Sequence, residues 1–218
     1  MVRTGLAKDE RKMFEEGWEI VQEGIDRMAD MSSDMLKFVK GWVPKLEKVD
    51  LSNSLSEIDH VIKKSAADKG IEFQMNISED LPAVKCDAQM IHSAVMDIVS
   101  NALDACVWKN YGEGEVQKVT VNAYLNNGEQ NTIIEIKDNG CGMTENVKAK
   151  IFTPFFSTKS KTGTGLGLSI ASRMINAHHG RIDVVSEPNK GTSFQIVLPI
   201  DANNKNKENS NGKKGPGS

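Results

Sequence analysis

The sequence predicts an α+β protein, a two-layer α/β sandwich preceded by a long coiled-coil-like helix. Three observations carry this reading. A heptad of apolar residues runs through the start of the chain; period-2 segments alternate with segments of helical period; and a glycine-rich stretch leads directly into a helix.

Residues 9 to about 48 read as one helix. Phe14, Trp18, Val21, Ile25, Met28, Met35, Val39, Trp42 and Leu46 follow a 4-3 alternation broken only by Ser32. That period of about 3.5 is the seam of a coiled coil or helical bundle. A helix lying on its own domain would show 3.6, which drifts by about 20° per heptad. Such a seam needs a partner, and a homodimer through residues 9–48 is expected. Pro44 falls where the helix should kink or stop.

A helix from Ser54 to Lys69 follows, closed by Gly70 at the left-handed cap position. Ile71 to Ile77 alternates as a half-buried strand, and Ala83 to Cys86 is a second, short one. Asp87 caps a helix reaching about Trp108. Strands near Lys118–Leu125 and Thr132–Lys137 are joined through Asn126-Asn-Gly128, a hairpin signal. Thr144 is the N-cap of a short helix to Lys150, and a helix runs from about Leu166 to His178. Two last strands, Gly180 to Ser186 and Thr192 to Leu198, turn at Pro188-Asn-Lys-Gly191. One mixed sheet with three helices on one face is the expected sum. The divisions are 1–49, 50–200 and 201–218. The last, rich in Asn, Lys and Gly, reads as a disordered tail or a cloning remnant.

With 218 residues there is room for one ordinary domain and an appendage. A net charge of -3 offers nucleic acid no attraction, so no such partner is expected. Cys86, Cys106 and Cys141 are odd in number and widely spaced, which suggests neither a disulfide framework nor a zinc site. Apolar runs are broken by Asp, Asn or Lys well short of about 18 residues, so no spanning helix and no membrane contact by this segment are expected. The first residues lack a signal-peptide apolar region. A cytoplasmic protein, or the cytoplasmic piece of a longer, membrane-anchored parent, fits these features.

Three segments carry the chemistry. On the helix after Asp87, Asp97, Asn101 and Asp104 lie within about 60° of one another, a polar stripe beside Ile91, Val95, Ile98, Ala102 and Ala105. The stripe is either a solvated face or a metal–phosphate site; Mg²⁺ takes hard oxygen ligands and keeps phosphate and water in its shell. Asp138-Asn-Gly-Cys-Gly ends a strand without continuing as a hairpin. There the Asp138 carboxylate can accept a proton from an exocyclic amine, and the glycines let a flat ring approach. Finally, Phe152-Thr-Pro-Phe-Phe leads to Lys159, Lys161, Thr162 and Gly163-Thr-Gly-Leu-Gly167, then a helix N-terminus with open N–H groups and a positive dipole end. His60 and His92 read as surface or core residues. His178 and His179 read as a helix C-terminus, where an imidazolium suits the dipole.

In this order the segments Asp97–Asp104, Asp138–Gly142, Phe152–Phe156 and Gly163–Gly167 resemble the four nucleotide-binding boxes of sensor histidine kinases of two-component systems, whose fold is shared with heat-shock, topoisomerase and mismatch-repair ATPases. The resemblance covers residues 50 to 200. It implies ATP and Mg²⁺ as cofactors, with Asn101 on the metal and Asp138 on the adenine amine. Gly140 and Gly142 would shape the adenine pocket. Asp104, Lys159, Thr162, Gly163, Gly165, Leu166 and Gly167 would hold the nucleotide, and Thr192 after Gly191 would close the adenine side. Asp97 departs from the Asn or Glu often found at its position; in the heat-shock and topoisomerase relatives that position holds a water-activating acid, which implies a catalytic role. Residues 9–48 resemble the second helix of the dimerisation and phosphotransfer hairpin. The first helix would carry a phosphoacceptor motif, which none of the four histidines matches, so the phosphoacceptor is expected upstream and self-labelling is not expected. A response-regulator receiver domain is the implied partner. The alternatives are a non-catalytic nucleotide-binding module and a serine kinase of the anti-sigma type.

Overall fold

The computed structural model describes residues 11–39, 43–126, 128, 130–159 and 163–201. Outside them lie the first two residues of the expected helix, Trp42 of its seam, Asn127, Lys161, Thr162 and the tail from residue 202.

Helix α1 (Arg11–Val39) is the heptad helix, but it does not run to 48. Residues 43–46 are irregular, and Glu47–Val49 forms strand β1. Pro44 disfavours helical backbone at Val43 and has no N–H to give, so Leu46 leaves the seam. Helix α2 (Leu51–Asp68) starts three residues earlier than expected, because Asp50 caps it by accepting from Ser52 N–H at 2.9 Å. Its C-terminus is a Schellman motif: Ile71 N–H donates to Ala66, Gly70 N–H to Ala67, and Gly70 sits at φ +69°.

The main sheet has the order β2 (Glu72–Ile77), β4 (Lys118–Asn126), β5 (Asn131–Asp138), β7 (Gly191–Pro199), β6 (Arg181–Glu187). β2 runs parallel to β4, and the other pairs are antiparallel. Contrary to the single expected sheet, β3 (Val84–Cys86) pairs with β1, Glu47 opposite Cys86 and Val49 opposite Val84. Three-residue segments hold no register signal of their own, so this pairing was not readable.

Helices α2, α3 (Ala88–Trp108) and α5 (Gly167–Ala177) cover one face, as expected, and α4 (Glu145–Lys148) is a single turn capped by Thr144. The core between the layers is built from Leu55 and Ile58 of α2, Ile91, Val95 and Ile98 of α3, Ile170 and Ile175 of α5, and Val121, Ile134, Ile136 and Ile196 of the sheet. By length and composition α3 alone among the described helices could cross a membrane, against the expectation from broken apolar runs. Its apolar side is buried in this core and its polar stripe lines a cleft.

Candidate nucleotide-binding site

A cleft of about 410 Å³ opens between α3, the turn after β5, the loop before α5 and the start of β7, a size within the range of small-molecule pockets. Register builds one end of it. Asp138 ends β5 directly opposite Thr192 of β7. The carboxylate is 4% exposed, and its Oδ1 accepts from Gly140 N–H at 2.8 Å and Thr192 N–H at 3.2 Å. Burial pushes its pKa up to about 6, against the pull of those two N–H groups and the Lys109 charge.

The glycines here allow close backbone packing. A Cβ on Gly140 would meet the Ala105 carbonyl of α3 at 2.5 Å; one on Gly142, at φ +61°, would meet the Glu187 carbonyl oxygen at 1.9 Å. Gly142 lines the cleft, whereas Gly140 lies behind it and presses the turn onto α3.

At the other end the α3 stripe faces the glycine-rich loop before α5. Asp97, Asn101 and Asp104 all line the cleft, as expected; Ala105, placed in the core by its spacing, lines it too. Asn101 Nδ2 donates to the Asp97 carbonyl at 2.8 Å, which turns Oδ1 outward. There Lys159 Nζ donates to Asn101 Oδ1 at 2.9 Å and to Asp104 Oδ2 at 2.6 Å. The Lys159 ammonium also lies 5.3 Å from the centroid of the Trp108 ring. Asp104 holds a second lysine, Lys69, at 3.0 Å on Oδ1. Burial alone would raise the Asp104 pKa; the bonds and charges of Lys159 and Lys69 outweigh it and hold the group below the ordinary carboxylate value.

Gly163, Gly165 and Gly167 line the cleft beside the α5 N-terminus. Gly165 lies at φ +68°, and its carbonyl accepts from Phe155 N–H at 2.9 Å. Phe155 itself is exposed at φ +65°, Phe156 lines the cleft, and Phe152 packs on the core. Leu166 differs from expectation: its side chain is fully buried in the core and does not line the cleft. Its carbonyl accepts the Ile170 N–H, and Gly167 and Leu168, the first residues of α5, line the cleft. Thr162 lies outside the described residues.

His178 departs from the expected imidazolium. It is buried, its Nε2 accepts from Asp87 N–H at 2.9 Å, and Nδ1 lies 2.7 Å from the Met174 carbonyl. A backbone N–H can only donate and a carbonyl only accept, so the ring in this arrangement is neutral and protonated on Nδ1. Sequence reading also missed Asn139, whose Oδ1 accepts from Lys118 N–H at 2.8 Å and whose Nδ2 donates to Val116 at 2.8 Å, pinning the α3–β4 connection behind Asp138. An Asn before Gly at a strand end is the only signal for it.

The donor set fits a magnesium nucleotide. Asn101 and Asp104 supply two hard oxygens that already converge on a cation, the Lys159 ammonium. No cluster of three or more His, Cys, Asp or Glu that could hold a metal ion by itself occurs among the described residues.

Residues 86–202 match the family model described as Histidine kinase-, DNA gyrase B-, and HSP90-like ATPase. The chain is 29% identical over 181 residues to the signal transduction histidine-protein kinase AtoS of Escherichia coli (strain K12), covering 83% of this chain and 28% of AtoS. The nucleotide-free catalytic domain of histidine kinase ThkA superposes with a TM-score of 0.60 at 28% identity, over 72% of this chain and 97% of that domain. ThkA in complex with the response regulator TrrA aligns at 0.69 and 21% identity, over 89% and 52%. Full-length ShkA in complex with AMPPNP aligns at 0.72 and 24% identity, over 91% and 40%. These last two likenesses are of fold. The chain spans between 24% and 39% of the length of the curated relatives it matches. With its model matched over more than half of the sequence, the chain belongs to the histidine kinase-, DNA gyrase B- and HSP90-like ATPase family, and it is similar to the catalytic portion of sensor histidine kinases.

Proposed function

We propose that this chain is the catalytic portion of a sensor histidine kinase, transferring the γ-phosphate of ATP to a histidine on a phosphoacceptor hairpin in two-component signalling. The observation that supports it most directly is the cleft's two ends: the buried Asp138 carboxylate and the Asn101–Asp104–Lys159 cation seat.

Asp138 accepts the adenine amine through the oxygen that Gly140 and Thr192 leave open, and so disfavours guanine, which carries a carbonyl there. Asn101 is the Mg²⁺ ligand, with Asp104 beside it; the metal supplies charge neutralisation across the phosphates. Lys159 and Thr162 donate to the phosphates, together with the α5 N-terminal N–H groups presented by Gly163, Gly165, Leu166 and Gly167. Gly142 keeps the adenine turn close to β6–β7. A Cβ on Gly167 would lie 3.6 Å from Asp97 Cγ, so Asp97 borders the phosphate end, consistent with a role in orienting the attacking group.

The division into a hairpin segment that holds α1, an ATP-binding domain that takes in β1 and runs to residue 200, and a tail (201–218) belongs to the same reading. So do a homodimer through α1, a receiver domain as phosphate acceptor, and a cytoplasmic setting for a parent with a membrane anchor. ThkA's complex with a response regulator supports the receiver partner. The test supplies a phosphoacceptor hairpin with ATP and Mg²⁺. Acid-labile, base-stable phosphate on the hairpin histidine supports the kinase. Binding of ATP without transfer favours a non-catalytic module, and phosphoserine favours the serine kinase.

A further inference from the structure

Asp104 is a single carboxylate gripped by two ammonium groups, one on each oxygen. The two lysines differ in how they are held. Lys159 belongs to the phosphate loop, lines the cleft and is tied locally through Ser157, whose Oγ accepts its N–H at 3.0 Å. Lys69 does not line the cleft. It is the C-cap of α2, its own N–H donates to Ala66, and the next two residues close the Schellman motif over the buried Ala66 and Ile71. Lys69 also lies before residue 86, outside the part of the chain that the ATPase family model matches.

If Lys159 moves to the phosphates, as the reading above requires, Asp104 loses the partner on Oδ2. A partly buried carboxylate without a counter-charge is costly and free to rotate. Lys69 prevents both outcomes. From behind the cleft it holds Oδ1, which keeps the carboxylate plane fixed and Oδ2 aimed where Asn101 Oδ1 also points.

We propose that Lys69 is a positioning residue of the nucleotide–metal site, holding Asp104 so that Asp104 and Asn101 present one cation seat that Lys159 fills without nucleotide and Mg²⁺ fills with it. The proposal rests on the ATP-binding reading and names a residue that no nucleotide-binding box contains. Its effect belongs to the metal-dependent part of binding and not to recognition of the base.

Calorimetric titration with ADP, in excess MgCl₂ and separately in EDTA, tests it on the full chain. Lys69→Met is expected to weaken ADP binding in Mg²⁺ about tenfold, the scale on which residues supporting metal ligands act, and to change it by less than about twofold in EDTA. Lys69→Arg should stay within about twofold of the parent in both. Lys69→Gln carries the same test if Lys69→Met does not fold. Equal loss in Mg²⁺ and EDTA, no loss in Mg²⁺, or a Lys69→Arg as weak as Lys69→Met would each overturn the role. If the parent binds ADP and Asp138→Ala does not while Lys69→Met matches the parent, only this proposal falls. A parent that binds no ADP in either buffer overturns the ATP-binding reading as well.

Discussion

Thr192 donates its backbone N–H to Asp138 Oδ1 at 3.2 Å across 54 residues of chain, joining the ends of two neighbouring strands. The bond orients the carboxylate while leaving its other oxygen for the cleft. It does not repay the cost of burial, since the Asp138 pKa is still pushed up to about 6 from 3.8. A carboxyl harder to ionise in the folded state than in the unfolded one costs stability above the folded pKa. That cost fades as pH falls from about 6 to about 4.

Asp138→Asn keeps an acceptor for both N–H groups and removes the charge. It should therefore raise the unfolding free energy near pH 7.5 by on the order of 1–3 kcal/mol, with the gain gone below about pH 4. ADP affinity should fall tenfold or more, because an amide NH₂ then faces the adenine amine. Urea unfolding at the two pH values with ADP calorimetry checks both; a variant less stable at pH 7.5 contradicts the buried-charge account. In the parent, ADP affinity should itself decline as pH drops through about 6.

Gly140→Ala should destabilise the domain by on the order of 3 kcal/mol, because the new methyl would sit 2.5 Å from the Ala105 carbonyl and α3 would have to shift. Gly167→Ala meets nothing closer than 3.6 Å and should change stability by less than about 1 kcal/mol. Thermal unfolding of the pair separates a packing requirement at Gly140 from a nucleotide requirement at Gly167.

His178→Ala should cost about 1–3 kcal/mol, since the Asp87 N–H at the start of α3 loses its acceptor and the Met174 carbonyl its donor. Nitrogen-15 NMR of the parent should find His178 as the Nδ1–H tautomer. An Nε2–H tautomer would show that the α3–α5 link is not formed as described.

The elements that carry the boxes were legible because their ends are set by residues whose type is demanded locally. Asp87 and Thr144 cap helices, Gly70 adopts a left-handed φ, and Asp138 ends β5, a strand rich in Ile. What escaped depends on contacts distant in sequence. The β1–β3 pairing joins two three-residue segments, and Lys69 meets Asp104 across 35 residues. His178 looked like a charged helix end because a His pair before Gly carries no sign of the Asp87 N–H it caps 91 residues away. Leu166 sits among glycines that line the cleft, yet its side chain is the buried anchor beneath them.

Helix α1 leaves Phe14, Trp18, Val21, Ile25, Met28 and Met35 exposed along its heptad stripe. Burying each is worth about 1.5–3 kcal/mol, so the chain is expected to dimerise through them. Light scattering should report a dimer at high concentration, and Trp18→Glu with Ile25→Glu should dissociate it without altering ADP affinity. A strict monomer at all concentrations would remove α1 as the dimer contact.

Titration of the full chain with ATP and with GTP, in Mg²⁺, against the Asp138→Ala variant tests the central claim most directly. Binding in the micromolar to millimolar range is expected for ATP, with GTP weaker and Asp138→Ala losing about 1.5–3 kcal/mol, tenfold or more in affinity. An Asp138→Ala protein that binds ATP as well as the parent would show that the adenine pocket lies elsewhere.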